Sequence, residues 1–149
     1  MKMEWLELRN DPNVAFMFVR VRVEDFRKKC ESPSHFYRLL SQSNNSIGRM
    51  SNRNFTRRVL KGGGYFTQLM VNGEIHIYFL LMLKEGKNTE IIRSNFKMRT
   101  QKILPTSGVK VLPFSEIEDS EVSDFIINSS EMKMIQPIRE TYLKGLKGQ

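Results

Sequence analysis

In the stretch NGEIHIYF, Glu74, His76 and Tyr78 are spaced two residues apart, so an extended backbone sends all three side chains to one face. An imidazole between a carboxylate and a phenol can take and return a proton near neutral pH. With cations close enough to stabilise a pentavalent phosphorus, that trio would suit RNA cleavage without a metal. The competing reading is a half-buried strand histidine with a structural hydrogen bond, the commoner fate of an isolated His. His35 is the weaker of the two histidines as an acid/base candidate. Cys30 follows Lys28 and Lys29 but has no identifiable histidine partner to make it a nucleophile. There is no CxxC pair or Cys/His cluster, and the acid-rich SEIEDSEVSD lacks the glycine and ligand spacing of an EF-hand. Neither a metal nor another cofactor is expected.

The second chemistry is phosphate binding. SNRNFTRRVLK contains Arg53, Arg57, Arg58 and Lys61, and IIRSNFKMRTQK contains Arg93, Lys97, Arg99 and Lys102. No carboxylate falls between Ser32 and Gly73, or between Ile91 and Ser115. The chain has 24 Lys and Arg against 16 Asp and Glu, a formal charge of +8. The excess is uneven: Met1 to Lys110 carries 20 basic and 9 acidic residues, and Val111 to Gln149 carries 4 and 7. Such an imbalance attracts polyanions. Cations on a reachable face would hold phosphates, while Tyr65, Phe66 and Phe96 are candidates to stack unpaired bases. The three glycines Gly62 to Gly64 do not match a phosphate cradle, because such glycines precede a helix N-terminus and GxxxxGK[ST] is absent. They are read as a helix C-cap and turn.

These side chains need elements to position them. Val14 to Val23 alternates as a strand with one fully apolar face, Ala15, Met17, Val19, Val21 and Val23. VEDFRKKC reads as a helical turn, and Ser32 with Pro33 opens a helix running through Gln42. A further helix, capped by Ser51 or Asn52 and ending near Lys61, would bury Phe55, Thr56, Val59 and Leu60 and expose its arginines. Asn72-Gly73 between two β-rich runs predicts a hairpin with positive φ at both turn residues. Its second strand, Glu74 to Leu83, is apolar on both faces and therefore central. Thr89 to Leu104 is read as the third strand of a meander. Val109 to Phe114 adds an edge strand limited by Pro113. Ser115 and Glu118 have capping-box spacing before an acidic helix with Val122, Phe125 and Ile126 on its buried side, and a last segment from Ser130 to Leu143 is split by Pro137.

The expected architecture is one α+β domain over residues 1–149, a four- or five-stranded mainly antiparallel sheet with short helices packed on one face. Its C-terminal segment, about residues 115–145, is acidic and helical. The length suits a single core, the hydrophobic fraction of 40% is too high for a disordered chain, and the single cysteine fits a reducing compartment. The longest apolar run, IYFLLML, is too short to span a bilayer, and the start lacks a signal-peptide core, so an intracellular, non-secreted protein is expected. Nucleic acid, RNA favoured, is the expected partner. The alternatives are a small metal-free ribonuclease of toxin type, or a basic capsid- or matrix-like assembly protein that docks through exposed apolar residues such as Trp5, Leu6 and Leu8.

Overall fold

The computed structural model describes residues 5–42, 55–128 and 131–135. The elements are helix α1 (Trp5–Asn10), strand β1 (Val14–Arg22), α2 (Val23–Lys29), α3 (Pro33–Ser41), α4 (Phe55–Val59), β2 (Leu60–Leu69), β3 (Glu74–Leu83), α5 (Thr89–Ile103), β4 (Gly108–Pro113), a 3-10 turn (Phe114–Glu116), α6 (Asp119–Ile127) and β5 (Lys133–Met134). The strands form one five-stranded sheet in the order β4-β1-β3-β2-β5, with every pair antiparallel. The α+β class and the central place of β3 agree with the sequence reading, and β4, with Pro113 at its end, lies on an edge.

Strand alternation sorts the core into two layers. Ala15, Met17, Val19 and Val21 of β1 join Ile77, Phe79 and Leu81 of β3 beneath α2, α3, α4 and α5. Val14 and Phe16, with Phe66 and Leu80, face the other way, toward Phe114, Val122 and Phe125. The larger helical layer lies on one face as expected, and α1, the 3-10 turn and α6 cover part of the second. Each fully buried Phe contributes roughly 2–3 kcal/mol of apolar transfer energy. Helix α3 starts as its sequence dictates, with Ser32 Oγ accepting from the His35 amide and Pro33 at the first helical position. The expected Ser115 capping box does not form: Ser115 lies in the 3-10 turn, and Glu118 takes the cap position of α6 without a side-chain cap bond. Ile126, expected on the buried side of this helix, is exposed.

Three elements differ more substantially from the sequence reading. Thr89 to Ile103 is a helix, not a strand: Asn88 Oδ1 caps it by accepting from the Ile91 amide, and Ile92, Phe96 and Thr100 recur every four residues on its buried side. The α4 helix stops at Val59, so Lys61 belongs to β2, and Gly62 to Gly64 lie inside that strand. A Cβ on Gly63 would stand 2.0 Å from the Leu80 carbonyl oxygen, and one on Gly64 would stand 2.4 Å from Met132 Sδ. These glycines permit close strand approach instead of a turn. In the hairpin, positive φ occurs at Gly73 and at no non-glycine residue described. The Gly73 amide bonds the Met70 carbonyl and the Met70 amide bonds the Glu74 carbonyl, which makes a three-residue loop ending in a glycine bulge. The proposed caps Ser51 and Asn52, and most of the Ser130 to Leu143 segment, lie outside the described residues; within that segment Lys133–Met134 is a strand.

Candidate phosphate-binding groove

Helices α4 and α5 lie over the same sheet face, and the shallow space between them is a groove of about 460 Å³ lined by Phe55, Arg58, Val59, Asn95, Met98, Arg99 and Lys102. The helical period explains why α5 supplies four of these residues. Asn95, Met98, Arg99 and Lys102 fall on the flank of α5 next to its buried stripe of Ile92, Phe96 and Thr100. Phe55 forms the floor. Its ring packs on Phe96 with centroids 5.1 Å apart, and the Arg99 guanidinium carbon lies 3.9 Å from its centroid.

Arg99 is fixed in place. Its Nη1 donates to the Gln42 carbonyl at 2.7 Å and to the Leu40 carbonyl at 3.4 Å, tying α5 to the end of α3. Burial lowers its pKa from the ordinary arginine value, and the nearby charge of Arg58 lowers it further, although a guanidinium remains charged under any physiological condition. Two guanidinium groups therefore converge with Lys102 on one groove, and among the described residues no carboxylate lines it. Among the described residues, the ion pairs are Arg9 with Asp119, Arg22 with Glu24, Lys28 with Asp25 and Lys110 with Glu121. None of these draws off a groove cation.

The remaining sequence candidates are distributed elsewhere. Arg93 and Lys97 sit on the opposite flank of α5, where a second depression also contains Glu90 and Glu116. The two basic groups of the sequence therefore meet only in part: Arg58 joins Arg99 and Lys102, whereas Arg93 and Lys97 face a mixed-charge surface. Arg57 is exposed on α4, Lys61 is exposed on β2, and Arg53 lies outside the described residues. The acidic segment pairs with two other cations, Arg9 through Asp119 at 2.6 Å and Lys110 through Glu121 at 3.0 Å.

Tyr65, Phe66 and Phe96 are not stacking platforms, because all three are buried. Tyr65 and Phe96 belong to the larger core layer and Phe66 to the smaller. The groove residues that sequence reading missed are Met98 and Asn95, which become visible only when Thr89 to Ile103 is read at a helical period. The apolar N-terminal segment offered as a docking site is represented by Leu8, which is partly buried against the smaller core layer.

On the other sheet face the proton-relay trio reduces to a pair. His76 Nε2 lies 3.1 Å from Glu74 Oε1, with the Phe18 ring edge-on at 5.1 Å and Arg20 directly opposite across the β1–β3 ladder. Tyr78 instead stacks on Phe66 at 4.7 Å, and burial followed by the charges of Asp124 and Glu121 pushes its phenol pKa up. Cys30 is buried, and desolvation raises its thiol to about 11, the opposite of the lowered pKa that a nucleophile needs.

No helix among the described residues is long and apolar enough to cross a membrane. Comparisons with family models, curated proteins and solved structures find no match to this chain.

Proposed function

We propose that this protein binds nucleic acid, RNA in preference to DNA, by holding backbone phosphate in the α4–α5 groove. The supporting observation is the convergence of Arg58, Arg99 and Lys102 on a groove that no acidic side chain lines among the described residues. Gathering like charges without a counter-ion is unfavourable in the free protein, and an anion relieves it. RNA is favoured because neither basic helix presents an unbroken cationic face to enter a duplex major groove. Helix α4 has five residues, and the outer side of α5 between its two basic flanks carries the exposed, uncharged Ile91, Ser94 and Gln101.

Replacing Arg58 and Lys102 together with Ala tests this reading, because both side chains project from the surface and Arg99, with its structural bonds, is left intact. Fluorescence anisotropy with a labelled RNA across a salt series should show weaker binding, and the slope of log K against log salt should flatten by about 1.4 for two lost single-strand phosphate contacts. Wild-type affinity and slope in the double variant would overturn the assignment of the groove, and failure of the wild-type protein to bind RNA at low salt would overturn the function itself.

A further inference from the structure

Resting on that reading, we infer that the groove takes an unpaired segment one or two nucleotides long, with phosphate on Arg58 and Lys102 and a base laid against Met98. Three observations lead there. The first is the wall chemistry. Phe55, Val59 and Met98 line the same groove as the cations, and Met98 is 61% exposed. A duplex presents sugar and phosphate outward and keeps its bases stacked inside, so an apolar wall has nothing to cover. An unpaired base would cover the Met98 thioether and exclude water from it.

The second is size. About 460 Å³ is the scale of a small-ligand cleft, enough for a nucleotide and its neighbour's phosphate and far short of a duplex track. The third is the division of charge on α5. Arg93 and Lys97 open onto a separate depression shared with Glu90 and Glu116, so the cationic surface does not continue from the groove around the helix to follow a second strand. Arg99 contributes preorganisation. Its ring contact and two carbonyl bonds hold a charged donor in position before the ligand arrives, which lowers the entropy lost on binding.

The test uses the full chain and three probes: a labelled single-stranded octauridine, a labelled RNA duplex of similar length, and unlabelled uridine monophosphate as competitor. The single strand should bind at least several-fold more tightly than the duplex, and the mononucleotide should displace it. Met98→Ala removes the exposed part of the apolar wall without altering charge, and should weaken octauridine binding by about fivefold, within the range for losing one thioether–aromatic contact, while leaving duplex binding unchanged. Arg58→Ala should weaken both. Equal affinity for duplex and single strand, or an indifferent Met98→Ala, overturns the unpaired-segment inference while leaving phosphate binding intact. Loss of all RNA binding in the wild-type protein overturns both.

Discussion

Replacing Gly63 with Ala separates the structural role of the glycine triplet from a role in ligand binding. In the β2–β3 ladder Gly63 pairs with Leu81, and its φ of +140° is one that L side chains rarely adopt. An added Cβ would stand 2.0 Å from the Leu80 carbonyl oxygen and 3.1 Å from the carbonyl carbon, whereas non-bonded atoms rest at about 3.5 Å. Relief requires the two central strands to separate by about 1.5 Å, in a sheet whose strands ordinarily sit about 4.8 Å apart. Backbone strain of about 1–2 kcal/mol and an overpacking cost of about 1–3 kcal/mol together give a loss of about 3 kcal/mol. For a chain of this length that corresponds to about 6–12 °C in melting temperature. Gly73→Ala is the internal control: its φ is +86° but nothing lies within 4 Å of the added carbon, so only the backbone term applies, about 1 kcal/mol or about 2–4 °C. Thermal unfolding followed by circular dichroism measures both. If Gly63→Ala melts within about 2 °C of wild type, or no lower than Gly73→Ala, the close-approach explanation fails.

Two further outcomes follow from the titratable groups. With its thiol pushed up to about 11 by desolvation, Cys30 should be about one part in a thousand thiolate at pH 8; Ellman's reagent should react slowly with the native protein and fully in guanidinium, and rapid native reaction would contradict the burial of Cys30. The Glu74 carboxyl is held below its usual 4.5, first by the hydrogen bond from His76 and then by that from Asn72. A depressed folded-state value stabilises the fold above the unfolded value, and the contribution is lost as pH falls through the folded one. The melting-temperature difference between wild type and Glu74→Gln should therefore shrink as the pH is lowered from about 6 to about 3, and a difference that grows on acidification would show the sign to be wrong.

The sheet was legible where one periodicity dominated. Val14 to Val23 and Glu74 to Leu83 alternate clearly, Pro113 confines its strand to an edge, and Ser32-Pro33 opens a helix with the cap its types imply. Thr89 to Ile103 misled because its buried stripe is narrow and includes a threonine, Thr100, while the β-branched pair Ile91-Ile92 and the expectation of a meander favoured a strand. Asn88 is the available signal, a side chain suited to capping that stands immediately before the helix. The glycine triplet shows a second kind of ambiguity, since glycine serves turns and close strand contacts equally well, and only the Leu80 and Met132 backbone and side-chain positions decide between them. The groove was half legible. Arg58, Arg99 and Lys102 stood out as cations, but the partners that fix Arg99, the carbonyls of Leu40 and Gln42, lie 59 and 57 residues away in sequence, a distance that no local pattern spans.

The sheet order also carries a consequence for how the chain comes together. The hairpin of β2 and β3 closes over the three-residue loop Val71 to Gly73, between Met70 and Glu74, a fast local event. β1 is made first, yet its partners are Leu81 and Pro113 for Ala15 alone, so it waits for long loops to close before either side is paired. Until then a nine-residue strand that is apolar toward both layers stands without neighbours, in the manner of a nascent segment prone to sticking. Synthesis past Leu83 supplies its first partner and synthesis past Pro113 its second, so a delay in translating residues 23 to 83 lengthens the interval in which this strand is open to aggregation.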